Sequence, residues 1–189
     1  MLVPGELYLN QIDDIFTKDE CIALLGRANQ EGWHNPETGG SYMRSIIIDK
    51  ELADKLYVKL KEHIPDTYMG YKLLYINDHF RFSRYNTGGV FPIHQDGTNY
   101  DAGRVDEFDG YSTESVFTLN IFLNDDFEGG ETDFFEPNPD EPNELKLRFR
   151  VEPKCGRGAL FYAKQYHRGN KVMSPYKYLI RTDVMGIRE

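Results

Sequence analysis

The chain has 189 residues, 40% of them hydrophobic and 14% aromatic, which suits one folded domain with a real core and excludes a disordered chain. Its net charge of −9 argues against a nucleic-acid backbone as the main partner, because phosphate binding wants a basic face. Tyr (13) and Phe (12) are abundant, with Gly and Pro between short apolar runs, and that mixture leans toward a β-rich fold.

In chain order, the opening MLVPGELYLNQIDD has no basic start and no apolar stretch of roughly 7–15 residues, so no signal peptide is read. No run approaches the ~18–20 apolar residues of a membrane helix. A soluble protein of the cytoplasm or another reducing intracellular compartment is the expectation. The two cysteines, Cys21 and Cys155, form no CxxC and no disulfide ladder, and read as buried or inert thiols.

Thr17 and Glu20 form a capping box ahead of Ile22, Leu24, Leu25 and Ala28, predicting a helix that Gly32 stops. A second helix is expected after Asp49 as N-cap, with Leu52, Leu56 and Leu60 on one face and Pro65 ending it. Residues 35–41 between them read as a loop. From Tyr71 the period changes, and strands are predicted at 71–76, 79–86, 90–95, 115–123, 131–135, 146–152, 158–163, 166–173 and 176–185. Those from residue 79 onward predict a closed or sandwiched double sheet with the helices on its outer face. One domain over 1–189 is expected, residues 1–70 a helical support and 71–189 the β core.

Two polar insertions interrupt the strands, 97–114 and 136–145. The first has the length of a lid and the second reads as a solvated acidic excursion. Their acidity suits a basic peptide, and equally suits simple solubility.

His94-Gln95-Asp96 places an imidazole and a carboxylate on one face of a strand end, so both can reach one metal. Alone, the pair also reads as a surface histidine beside a solvated acid. His167 offers a third ligand from a remote strand. Two histidines and one carboxylate on one face leave open positions, the pattern of non-haem iron(II) oxygenases, whereas zinc prefers a tetrahedral site with one open position. In the last strand, alternation sets Lys177, Leu179 and Arg181 on one face. Taken alone, that row favours cations facing solvent or paired with the chain's own acids. A dicarboxylate inside a barrel would be the other way to satisfy them.

The stretch Arg81-Phe-Ser-Arg-Tyr85-Asn-Thr-Gly88-Gly-Val-Phe91-Pro-Ile-His94-Gln-Asp96 resembles the R-x-x-x-Y-x-x-G-x-x-F-x-x-H-x-D segment of prolyl 4-hydroxylase-like 2-oxoglutarate/iron(II) dioxygenases. Phe122-Leu-Asn-Asp-Asp-Phe-Glu-Gly129-Gly-Glu-Thr132 is similar to that family's hairpin, and His167-Arg-Gly169 with Lys177 ten residues after the histidine matches its distal motif. The blocks span roughly residues 79–185 in family order. The resemblance implies a double-stranded β-helix (jelly-roll, cupin-like) core flanked by helices. It implies His94, Asp96 and His167 as ligands of Fe(II). It implies Lys177 as partner of the distal carboxylate of 2-oxoglutarate, with Tyr85 and Thr132 bonding the same cosubstrate. Arg181, on the same strand face, is the competing partner. O2 is the oxidant, and ascorbate is a further candidate cofactor. Two differences bear on the substrate: Phe122 stands where Tyr is common, and no substrate-binding Arg occurs near Ser115.

The activity so implied is hydroxylation of an unactivated C–H with release of succinate and carbon dioxide. A carboxylate at Asp96 favours hydroxylation over halogenation. The leading substrate expectation is a prolyl residue of a peptide or protein, with loops 97–114 and 35–44 closing over it. The alternatives are a small-molecule or free amino-acid hydroxylase on the same core, and a catalytically silent jelly-roll metal-binding module. Nucleic-acid demethylation is disfavoured by the charge and by the lack of an R-x-N-x-T-x-R ending.

Overall fold

The computed structural model describes residues 8–36, 40–101, 112–138, 140–141 and 143–188. The elements run β1 (Leu9–Ile12), α1 (Lys18–Glu31), β2 (Tyr42–Ile48), α2 (Lys50–Leu60), β3 (Thr67–Tyr68), β4 (Tyr71–Ile76), β5 (His79–Asn86), β6 (Phe91–His94) and β7 (Tyr100–Asp101). They continue with β8 (Thr113–Phe122), β9 (Glu128–Gly129), β10 (Thr132–Pro137), β11 (Leu145–Val151), β12 (Gly158–Tyr162), β13 (Tyr166–Gly169), β14 (Val172–Ser174) and β15 (Tyr176–Arg188). Among the described residues no helix is long and apolar enough to cross a membrane.

Two curled antiparallel sheets face each other as a jelly roll. The larger has nine strands built around β12-β8-β15, with β5 and then β2 leading off β15 toward one edge. The smaller is ordered β11-β10-β13-β6. Successive side chains of each strand point to opposite faces. On β15 this sends Lys177, Leu179, Arg181 and Asp183 between the sheets, while Ile180 and Val184 join the outer core beneath the helices. Phe122, Phe134, Phe161 and Leu179 form a second, inner cluster.

Both predicted helices form. The Thr17–Glu20 capping box caps α1 and Asp49 caps α2, its carboxylate accepting from Leu52 N at 2.9 Å. The buried face of α1 is Cys21, Leu24 and Ala28; Ile22, expected to be inside, is 59% exposed. Cys21 sits against Cys155. Burial pushes its thiol up to about 12, with Cys155 adding to the effect, which is the state of an inert thiol.

Several strands lie where the sequence pattern shows none. Strand β2 takes in residues 42–44, the end of the segment 35–44 expected to close over a substrate, and lies just past the loop expected at 35–41. It pairs with β5 along its length, from Tyr42↔Tyr85 to Ile48↔His79. Strand β1 likewise pairs with β12. Both come from the first seventy residues, the segment read as a helical support. The 166–173 run breaks into β13 and β14, the latter pairing with β9. Residues 102–111 of the first insertion lie outside the described residues.

The turn before β12 needs a glycine. Gly156 has φ +78°, and its N–H and C=O are both used, by Phe122 O and Ile15 N at 2.9 Å each. A Cβ there would collide with the backbone oxygen of Phe16. Gly156→Ala should therefore lower stability by at least the ~1–3 kcal/mol of a strained non-glycine backbone, read as a fall in urea midpoint; an unshifted midpoint would contradict this reading of the turn.

Candidate active site

The pairing of β13 with β6 sets His167 directly opposite His94, their rings 4.2 Å apart between centroids. Asp96 follows two residues after His94. Its amide donates to Ala163 O at 2.9 Å, which turns its carboxylate inward beneath β8. The three residues bring ligand atoms within 4.8 Å of one another, the one such group among the described residues. His94 Nε2 lies 3.4 Å from Asp96 Oδ1, and His167 Nε2 lies 3.8 Å from Oδ2. Two imidazoles and a carboxylate gathered this closely are a donor set that could hold one divalent metal.

The imidazoles are held for this task. Nδ1 of His94 is 2.9 Å from Pro92 O, and Nδ1 of His167 is 2.9 Å from Gln165 O. A protonated Nδ1 tied to a carbonyl leaves Nε2 free as the ligand atom. Burial pushes His167 down to about 4, opposed by Asp96, so the ring is neutral at ordinary pH. Burial alone would raise the Asp96 carboxyl. Its hydrogen bond to the His94 ring, the charges of Arg181 and His167, and the bond from Thr118 Oγ1 at 2.6 Å outweigh burial and hold it well below the usual carboxylate range.

Arg181 reaches the same carboxylate. Its Nη1 is 3.2 Å from Asp96 Oδ1, and its Nη2 donates to Asp183 Oδ1 at 3.2 Å. Asp183 is fully buried and also accepts from Arg81 Nη1 and Asn99 Nδ2, both at 2.9 Å. The cationic row of β15 thus divides. Arg181 meets the chain's own acids, one of the two outcomes the sequence pattern favours.

Lys177 does neither of the things that pattern favours. It is 3% exposed, its Nζ donates to Gly130 O at 2.7 Å, and it lies over the rings of Phe122 and Tyr85 at 5.1 and 5.3 Å. Burial pushes it down to about 8, with Glu131 opposing from a distance. Among the described residues no carboxylate comes within ion-pair distance of it. A buried ammonium without an anion is costly. Gly130 makes its position possible: with φ +70°, a Cβ there would press on the Lys177 chain at 3.1 Å and on Phe127 at 2.8 Å.

The cavity before the three ligand residues contains Tyr85, Thr132, Lys177 and Arg181, so the structure brings together all seven residues singled out from the sequence. It also contains Tyr42, Arg44 and Asn120, and rests on Thr118 and Asp183, none of which the sequence pattern picked out. Four buried side-chain polar atoms among the described residues have no partner: Nε of Arg44, Arg84 and Arg181, and Oδ1 of Asn120. Three of the four belong to this cavity, where buried polar atoms without a partner are otherwise rare. Orphaned donors, an isolated ammonium and three metal-competent side chains together fit a metal with an anionic cosubstrate.

Comparison with known proteins agrees. The model of the 2OG-Fe(II) oxygenase superfamily matches residues 80–182. That is more than half of the chain, and the chain belongs to this superfamily. It is a 2-oxoglutarate-dependent dioxygenase using Fe(II) and O2. The fold is shared with a viral collagen prolyl hydroxylase of Paramecium Bursaria Chlorella virus-1, solved with 2-oxoglutarate (TM-score 0.63, 21% identity, 96% of this chain and 97% of that one). It is shared with a Pseudomonas putida prolyl-4-hydroxylase (0.64, 16%, 97% and 94%). A Trichoplax adhaerens prolyl hydroxylase, solved with a hypoxia inducible factor oxygen degradation domain peptide, is similar too (0.66, 15%, 93% and 82%). No curated protein matches the chain in sequence.

The depressed His167 has a definite pH signature. Its folded value, about 4, lies below the ordinary 6.5, so between these limits the unfolded chain binds the proton that the folded one refuses. Metal-stripped protein should keep this contribution above about 6.5 and lose it as pH falls toward 4. Adding Mn(II) at a hundred times its Kd should stabilise the fold by about 2.7 kcal/mol. His167→Gln should remove both effects in urea titrations; retention of the Mn(II) effect would exclude His167 as a ligand.

Proposed function

We propose that the enzyme hydroxylates a prolyl residue of a peptide or protein, with His94, Asp96 and His167 as the iron ligands and Lys177 as the anchor of 2-oxoglutarate. The observation carrying the assignment is the isolated Lys177 ammonium, buried in the same cavity as the three ligand residues. A five-carbon diacid supplies two carboxylates, one for a metal and one for such a cation. When bound, iron(II), the cosubstrate and dioxygen supply the oxidising power for C–H hydroxylation as 2-oxoglutarate is converted to succinate and carbon dioxide.

The protein's part is positional. Lys177 receives the distal carboxylate, and the hydroxyls of Tyr85 and Thr132, both buried beside it, complete that carboxylate's acceptor sites. Tyr85 is kept in its neutral, donating form because burial pushes its phenol up. Arg181 holds the Asp96 carboxylate and is itself braced by Asp183, so it orients a ligand while Lys177 binds the cosubstrate. Phe91 and Leu179 wall the cavity and exclude water from the reacting carbon. Val90 and Ile93, both exposed beside His94, offer apolar contact to an extended chain at its mouth. The hydroxylase neighbours, one of them holding a peptide, support the prolyl reading.

Purified protein with iron(II) and 2-oxoglutarate should release succinate and add one oxygen to proline-rich peptides, read by mass shift. Lys177→Ala should raise the 2-oxoglutarate requirement a hundredfold or more, since stranding one member of a buried ion pair costs about 3–5 kcal/mol. Arg181→Ala should instead weaken Mn(II) binding. Unchanged turnover in Lys177→Ala beside lost turnover in Arg181→Ala would reverse the two roles. Because free Lys177 titrates near 8, binding of 2-oxoglutarate at pH 8.5 should draw in a proton. Calorimetry in buffers of different ionisation enthalpy would reveal it, and no uptake would count against Lys177.

A further inference from the structure

One charged side chain of the cavity has neither an anion nor an assigned task. Arg44 lies on β2, paired in register with Ser83 of β5, which pairs in turn with Leu179 of β15. Its guanidinium is therefore in the row between Lys177 and Arg181, two strands further toward the sheet edge. It donates from Nη2 to Tyr42 Oη at 2.6 Å and lies 5.3 Å from the centre of the Tyr42 ring. Tyr42, which holds Arg44, is itself stacked on Tyr85 with ring centres 5.1 Å apart. Its Nε is buried and unpartnered.

The position of Arg44 is also distinctive. It borders the active cavity and, on its other side, a second cavity of about 500 Å³ that His34 and Pro36 line. Glu31 borders that second cavity but forms no ion pair with Arg44, and among the described residues no other carboxylate does. The chain has 31 acidic residues against 22 basic ones, so an internal partner would have been easy to supply. The neighbouring cations are accounted for: Arg181 by Asp96 and Asp183, Arg81 by Asp183, and Lys177 by the cosubstrate. Both carboxylates of 2-oxoglutarate are likewise taken, by Lys177 and the metal. An arginine fork held by an aromatic ring and its hydroxyl suits a carboxylate arriving from outside.

We propose that Arg44 determines specificity by receiving a carboxylate of the substrate, so that this acidic protein selects acidic substrates. This rests on the hydroxylase reading above and names its substrate class. The carboxylate belongs either to an Asp or Glu side chain close to the target residue of a peptide, or to a free amino acid. The basic-peptide preference suggested by the overall charge is the opposite expectation, because net charge reports the whole surface and Arg44 reports the mouth of the site.

The test uses protein loaded with Mn(II) and 2-oxoglutarate, which binds substrate without turnover. Fluorescein-labelled proline peptides identical except for Glu, Gln or Lys flanking the proline are titrated by fluorescence anisotropy. Free L-proline and its amide compete in a second arm. The expected result is at least tenfold tighter binding of the Glu peptide over the Gln peptide, or of proline over its amide; the arm that responds identifies the source of the carboxylate. Arg44→Gln should abolish the preference, Arg44→Lys should restore part of it, and Arg44→Glu should shift it to the Lys peptide. Equal binding of matched probes, no binding in either arm, or a preference that survives Arg44→Gln overturns the proposal. A loss of 2-oxoglutarate binding in Arg44→Gln that exceeds the loss of substrate binding also overturns it. Succinate release by the wild-type iron(II) enzyme is measured in parallel. Its absence removes the hydroxylase reading, whereas its presence without a carboxylate preference removes only the role of Arg44.

Discussion

Arg181 spans two buried carboxylates, Asp96 and Asp183, and the inner face of the larger sheet is organised around that contact. A buried charge is tolerated only where its counter-charge is fixed in place. Here the charges arrive from separate parts of the chain, Asp96 beyond β6, Arg81 on β5, and Arg181 with Asp183 on β15, and Asn99 before β7 adds a hydrogen bond to Asp183. Each needs the others to be in register. Slipping β15 by one residue would send Lys177 and Arg181 to the helix side and bring Ile180 and Val184 inward.

The same constraint explains which parts of the site were legible in sequence. His94, Asp96, His167, Tyr85, Thr132, Lys177 and Arg181 fall in motifs of fixed local spacing, and strand alternation placed Lys177 and Arg181 on one face. Alternation could not say what that face would meet. Whether a cation finds a carboxylate or an aromatic floor depends on which strand lies beside it, and that is decided by pairing across about a hundred residues. The outcome differed for two cations on one strand: Arg181 met acids, while Lys177 met Gly130, Phe122 and Tyr85.

Strand β2 was missed for a related reason. Tyr42-Met-Arg-Ser-Ile-Ile-Ile is rich in β-formers, yet it sits between a Gly-rich loop and the cap of α2, and its outer apolar residues do not alternate cleanly. Only its pairing with β5 makes it a strand, and only that pairing brings Tyr42 and Arg44 to the cavity. The helices were easier because capping is a contact within four residues, visible as Thr17 with Glu20 and as Asp49 before Leu52. Cys21 and Cys155 form the converse case: distant in sequence, they are neighbours because α1 lies over the turn at Gly156.

Gly130 has a consequence of its own. The ammonium of Lys177 is tied to main chain at this residue, whose carbonyl accepts its hydrogen bond and whose missing Cβ leaves that side chain its path. Main chain cannot be trimmed or enlarged by exchanging one amino acid for another. The point where the Lys177 ammonium is held is thus set by the hairpin itself, like a fixed stop that side-chain exchange leaves in place.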